Sequence, residues 1–164
     1  MEDVKIIKVT EDRFDEVLEI YAAAREFMRN TGNPNQWKNF RPAPDTLKQD
    51  IELERLYGIE VGGELCASFV LMGHDEVYDH LIEGEWLNDK PYHTLHRVAS
   101  NGKQHGMLNR IVEFAKKYGT DLRIDTHDDN KVMQHLLEKN GFIRCGRIKM
   151  YDIEERVTYH YLNS

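Results

Sequence analysis

One short loop carries the clearest chemical signal in the chain. Ser100 to Gly106 reads SNGKQHG, with two glycines and a lysine, and opens directly into an amphipathic run from Met107. Asn101-Gly102 can turn tightly off a strand, and Gly106 lets the backbone come close to a ligand. The first N–H groups of the helix that follows have no intrahelical partner. Loop and helix start together offer backbone donors and a helix dipole to a phosphate or diphosphate, and Lys103 adds a cation. An ordinary surface turn before a helix uses the same residues, so the loop alone does not decide. Farther on, Asp125, His127, Asp128 and Asp129 have metal-ligand chemistry. With Asn130 they cluster at a helix start, where capping and solvated acids account for them, and no second ligand set has metal spacing. No metal is therefore expected. Cys66 and Cys145 each sit inside a strand pattern, outside any nucleophile setting, and read as buried free thiols.

The elements around these residues follow from periodicity. His93 to Ile148 reads strand, loop, helix, strand, helix, strand, with the first helix spanning about Gly106 to Tyr118 and the second closed by Gly141. Alternation along His93–Ser100 places Thr94, His96 and Val98 on one face and His93, Leu95, Arg97 and Ala99 on the other. Upstream, Val4 to Val9 reads as a strand. A helix then runs to about Asn30, with Phe14, Val17, Leu18, Tyr21 and Met28 on one face and Thr10 or Asp12 as cap. TGNPNQWKNFRPAP is a long loop, and Asp45 to Leu56 a second helix. Tyr57–Val61 and Glu64–Met72 form a hairpin about Gly62-Gly63. Gly73 to Pro91 is irregular, with a helical turn in DEVYDHLI. The chain closes with a hairpin of Met150–Asp152 and Arg156–Leu162, turning near Glu154. The expected fold is α/β (α+β), a mixed, mostly antiparallel sheet of roughly six to seven strands with helices on both faces.

Composition narrows the class. At 164 residues, the chain reads as a single domain, 1–164, with one sizeable core. No apolar run approaches the ~20 residues that span a bilayer, and MEDVKIIKV has no signal-peptide core, so a cytoplasmic protein off the membrane is expected. A net charge of −7 speaks against nucleic acid as partner. No aromatic–basic stripe for single strands occurs either.

Three pieces of the chain carry a resemblance to the acetyl-CoA-binding core of the GNAT superfamily of N-acetyltransferases. HRVAS is similar to the family's central strand. GKQHGML stands where the family has its pyrophosphate loop. IDTHDDNKVMQHLLEKNGF resembles the strand and helix that close over the thiol end of the cofactor. The last piece is the most specific, because an Asn opening a helix and N-G-F closing it occur together at family spacing. The loop is shorter than the family's, and Leu108 replaces its last small residue.

The resemblance implies acetyl-CoA as cosubstrate, bound by Val98, Ala99 and Ser100 along the arm, by Asn101, Gly102, Lys103, Gln104, His105, Gly106, Met107 and Leu108 at the pyrophosphate, and by Asn130. It implies a strand amide that polarises the thioester carbonyl. An amine with a pKa of about 10.4 must lose a proton before it attacks. Some family members carry a Glu or His on this strand for that task, and His96 sits at a matching position, with the reference pKa of ~6.5 that suits it. Packing in a polar part of the sheet would also explain His96. Glu85 is a second candidate. Leu137 stands where many relatives have a Tyr that protonates the departing thiolate. The acceptor pocket is expected from GNPNQWKNF and YDHLIEGEWLNDKPY, with Trp37 and Trp86 as walls and Glu85 drawing in a cationic amine.

The resemblance thus implies an N-acetyltransferase that moves acetyl from acetyl-CoA to a primary amine, small or peptide, by direct attack in a ternary complex. The rival is a non-catalytic acyl-CoA-binding or regulatory module on the same fold, which Leu137 and the short loop favour. A closing strand pair often serves dimer contacts in this family, which leaves a homodimer open.

Overall fold

The computed structural model describes residues 3–38, 40–150 and 154–163. Its elements are β1 (Val4–Lys8), α1 (Phe14–Asn30), α2 (Pro44–Glu52), β2 (Leu56–Val61), β3 (Glu64–Met72), β4 (Glu83–Gly84), β5 (Tyr92–Ser100), α3 (Met107–Lys116), β6 (Asp121–Thr126), α4 (Lys131–Lys139), β7 (Ile143–Met150) and β8 (Glu154–Tyr161). The strands form one sheet in the order β1-β2-β3-β5-β6-β8-β7-β4. All neighbours pair antiparallel except β5 and β6, which run parallel at the centre.

Helices cover both faces, as the pattern predicts. Ile111 and Val112 of α3 and Leu137 of α4 pack with Ile59, Phe69, Leu95 and Tyr159 on one face. Val17, Ile20 and Tyr21 of α1 and Leu47 of α2 pack with Leu56, Val70 and Ala99 on the other. The hairpin turn falls at Gly62-Gly63, both with positive φ, as a two-residue turn of right-handed twist requires. Helix α4 stops in a Schellman arrangement. Phe142 N donates to Leu137 O, and Gly141 N to Glu138 O.

The structure corrects several boundaries. Its sheet has eight strands rather than six or seven; the addition, β4, has only two residues, too few to leave an alternation in the sequence. Helix α2 begins at Pro44 and stops at Glu52, and Leu56 opens β2 instead of ending the helix. Glu54 intervenes with a φ of 56°, which no helix continues through. Thr10 and Asp12 hydrogen-bond to each other, so neither caps α1, which is entered through a 3-10 turn at Glu11–Arg13. The first arm of the closing hairpin is all of β7, and its last residue, Met150, pairs with Glu154, the first of β8. Asp152 lies outside the described residues.

Candidate active site

At the centre of the sheet the parallel pair comes apart. β5 and β6 pair only over Tyr92–Thr94 and Asp121–Arg123. Beyond that point a cavity of about 60 Å³ opens, with Leu95 to Val98 on one side and Ile124 to Thr126 on the other. The cause lies on the far edge of β5. Ser68 of β3 pairs with Ala99 and Val70 with His96, so one residue of β3 faces two of β5. Arg97 takes a φ of 49° at this point. An extra residue on one strand is a β-bulge, which bends the strand and re-aims its side chains. It also overturns the expected alternation. Leu95 and Val98 both pack toward α3 and α4, while Ala99 packs toward α1.

A non-glycine residue in the left-handed region persists only where its surroundings hold it. Arg97 is held from two helices. Its carbonyl accepts a 2.6 Å hydrogen bond from Tyr21 of α1. Its guanidinium donates two bonds of 2.8 Å to Asp50 of α2, a fully buried carboxylate that also accepts from Arg55.

His96 reaches the cleft just before the bulge, with 12% of its side chain exposed. Its Nε2 lies 2.6 Å from Asp75 Oδ2, and its Nδ1 lies 3.9 Å from Asp125 Oδ2. The His96 hydrogen bond holds the Asp75 carboxyl below the usual carboxylate range. A carboxylate that fixes one nitrogen of an imidazole leaves the ring oriented as a proton acceptor. Tyr78 donates to Asp125 at 2.6 Å. Burial, with the Asp125 charge beside it, pushes that phenol well above its ordinary pKa, so it keeps its proton.

The connection between α1 and α2 supplies the next wall. Gln36 Oε1 accepts from Asn33 at 2.9 Å, Asn130 at 3.0 Å and Thr126 at 3.3 Å, which ties the loop across to β6 and α4. Trp37 lines the cleft, buried, with its ring 5.6 Å from that of Tyr21. Arg41 closes the loop onto β8 with two contacts to Glu154, at 2.9 and 2.8 Å. Arg156 of β8 completes this wall.

Past Ser100, β5 runs into the glycine loop. Gly102 N donates to Ser100 Oγ, and Lys103 N to Asn101 Oδ1. Those two amides are therefore satisfied within the loop. Among the described residues, the amides from Gln104 to Asn109 donate to no protein acceptor. Gly106 sits at the start of α3 with a φ of 75°, and no side chain caps the helix. Lys103 is exposed and paired with Glu64 at 2.7 Å.

The predicted residues thus fall into groups. His96, Val98, Trp37 and Asn130 meet at the cleft. Asn130 caps α4 through its oxygen, to Met133 N, and donates to Gln36 through its nitrogen. Ala99 is buried on the opposite face of the sheet, and Ser100 pairs with Ala67. Met107 and Leu108 put their side chains in the core, so only their amides face a ligand. Glu85 is exposed beside β4, outside the cleft lining. Trp86 lies outside it too; its indole donates to Tyr78 O at 2.7 Å, and the Arg123 guanidinium sits over its ring at 4.3 Å. Asp128, one of the acids with metal chemistry, is taken by Arg147. Sequence reasoning missed Asp75, Tyr78, Asp125 and Arg156 as parts of one site. No local spacing joins them, though Gln36 and Tyr78 both lie in stretches expected to form the acceptor pocket.

No protein-family model matches the chain, and no curated protein sequence does. Solved structures do match it. An acetyltransferase of the GNAT family from Streptococcus agalactiae is 28% identical, with a TM-score of 0.85 over 98% of this chain and 96% of that one. The ribosomal-protein-S18-alanine N-acetyltransferase of Escherichia coli is 14% identical, with a TM-score of 0.64 over 99% of this chain and 95% of that one. PaiA N-acetyltransferase from Thermoplasma acidophilum, solved in complex with coenzyme A, is 13% identical, with a TM-score of 0.66 over 98% and 99%.

Proposed function

We infer, from a chain that carries the GNAT acetyltransferase fold over nearly its whole length, that it transfers acetyl from acetyl-CoA to a primary amine. The amine attacks directly, in a ternary complex. One observation carries this reading: the parted β5–β6 pair has a carboxylate-held histidine in its notch, and the loop that follows β5 carries a run of unpaired amides.

Bound acetyl-CoA would supply an activated acetyl thioester. The residues present fit such a ligand. Free amides from Gln104 to Asn109 and the α3 dipole suit a diphosphate. The β5 edge from Val98 to Ser100 lies between that loop and His96, where the arm would run. A β5 amide donates to the thioester carbonyl and stabilises charge as it develops there. His96 takes the proton of the attacking amine, and Asp75 holds the imidazole in position as it becomes cationic. Leu137 is fully buried in the core, and no tyrosine is among the described residues lining the cleft. A coenzyme A sulfur leaves well enough as thiolate for transfer to proceed without a tyrosine at that position.

That same observation about Leu137 favours a second reading, a non-catalytic acyl-CoA-binding module. Calorimetric titration with coenzyme A, beside thiol release from acetyl-CoA across a panel of amines, separates the two. Binding with turnover is the expected result. Binding without turnover on any amine would leave the module. No binding at millimolar coenzyme A would remove both.

A further inference from the structure

We propose that the cleft wall formed by β8 and the α1–α2 connection is an anion subsite, and that the acceptor amine carries a carboxylate held there by Arg156 and Gln36. The proposal rests on the acetyltransferase reading and names its substrate class.

Arg156 is a cleft-lining residue whose side chain is only 5% exposed. A buried guanidinium is costly unless its donors are paired. Among the described residues only Nη2 is: it donates to Gln36 O at 3.0 Å and to Glu154 at 3.1 Å. Nε has no partner among the described residues. Among the described residues, Nη1 meets only Asp125, at 3.8 Å, beyond hydrogen-bond reach. Nor does Glu154 neutralise Arg156 alone, because Arg41 takes both its oxygens.

Gln36 offers a further free donor. Three side-chain donors and the His127 amide, at 3.4 Å, converge on its Oε1. That convergence fixes which end of the side-chain amide is oxygen. Its Nε2 then donates to nothing among the described residues. Unpaired N–H groups on Arg156 and Gln36 in one polar pocket are the chemistry of carboxylate recognition.

Beside them stands the opposite charge. Asp125 presents Oδ2 toward His96 and Oδ1 toward Arg156. An ammonium group settles between Asp125 and His96, next to the base that deprotonates it, while a carboxylate settles on Arg156. Asp125 Oδ1 and Arg156 Nη1 lie 3.8 Å apart, so an ammonium on the one residue and a carboxylate on the other are close neighbours. That suits an amine and a carboxylate one or two carbons apart. A cavity of about 60 Å³ keeps the acceptor short. The class is a small α- or β-amino acid.

The test uses the intact chain, acetyl-CoA and matched pairs: glycine against glycinamide, alanine against alaninamide, β-alanine against β-alaninamide. Thiol release is followed, with calorimetry for coenzyme A alongside. The amides have the less basic amine, which favours them chemically near neutral pH, so a preference for the acids reports binding. At least one acid is expected to exceed its amide by about 100-fold or more in kcat/KM. Arg156→Gln should erase that preference, chiefly through KM, and Arg156→Lys should restore part of it. Amides used as well as acids would overturn the proposal, as would an Arg156→Gln loss equal for both members of a pair. It would also fall if coenzyme A bound but no acid turned over or raised the melting temperature of the complex. If Arg156→Gln does not fold, the pairs on the unaltered chain decide. Failure to bind coenzyme A is a different outcome, which removes the acetyltransferase reading itself.

Discussion

The glycine loop and the histidine cleft are made of different material. In the loop the donors are main-chain amides, from Gln104 to Asn109. The neighbouring side chains either enter the core, as Met107 and Leu108 do, or face solvent, as His105 does. In the cleft the polar groups are side chains, each from a different part of the fold. Gln36 comes from the α1–α2 connection, Asp75 from beyond β3, His96 from β5, Asp125 from β6 and Arg156 from β8. Backbone donors survive most substitutions, whereas a side-chain network loses a partner with each one. The cleft should therefore be brittle and the loop tolerant.

The largest expected effect falls on His96. His96→Gln should lower kcat by about 10²–10⁴-fold, the usual contribution of a positioned base, and leave coenzyme A affinity unchanged by calorimetry. A matching loss of affinity would mean that loop and cleft are not separable.

Asp50→Ala comes next, and it reads stability rather than chemistry. The substitution removes a fully buried carboxylate and strips Arg97 and Arg55 of their partner. Breaking a buried pair from one side costs about 3 kcal/mol at the low end, which applies because both arginines keep some contact with water. The urea midpoint should fall accordingly. As Arg97 loses its clamp the bulge relaxes, and kcat should fall as well. A loss of stability with kcat intact would show that Tyr21 alone holds the bulge.

This clamp also marks where sequence reading stopped. The stretch from β5 to β7 was legible because each step is local: a glycine loop opens α3, Asn130 caps α4, and Gly141 ends it. The bulge was not. HRVAS alternates like any strand, and nothing in it asks for a positive φ at Arg97. Asp50 and Tyr21, 47 and 76 residues away, impose it. The His96 contacts failed for the same reason. Asp75 lies in a segment whose only visible pattern was a helical turn, and the sheet order brings it to β5. Trp37 and Trp86 looked alike from the sequence, as aromatic residues in loops. Only the fold separates the one that lines the cleft from the one that packs under Tyr78 and Arg123.

Smaller effects test the loop and the acceptor wall. Gly106→Ala forces a Cβ into the left-handed region, at about 1 kcal/mol, and should weaken coenzyme A while sparing the kcat of the saturated enzyme. On the other side, pH probes Glu154. Burial pushes its carboxyl up, but hydrogen bonds from Arg41 and Arg156 more than offset this and leave it lowered. A lowered carboxyl contributes stability that is complete above its unfolded pKa of about 4.3 and is lost as pH falls through the folded value. The melting temperature should therefore drop on acidification below about pH 4, and the drop should be shallower in Glu154→Gln. Equal slopes would show that the Arg41–Glu154 contacts do not hold the loop.

The smallest expected effect is at Lys103, although it is the loop's only full positive charge. Its ammonium is exposed and already paired with Glu64 at 2.7 Å. Any diphosphate must compete with that carboxylate, and salt screens both over roughly 8 Å at physiological ionic strength. Lys103→Ala should raise the coenzyme A Kd by only about threefold at low salt, and by less as salt rises. Glu64→Gln should act in the opposite sense, because it frees the lysine and tightens binding slightly at low salt. Opposite signs at two touching residues are hard to produce by general damage to the loop, so the pair serves as its own control. A loss beyond about tenfold for Lys103→Ala would mean that a side chain, and not the amides beyond Gln104, grips the diphosphate, and the loop would then be as brittle as the cleft.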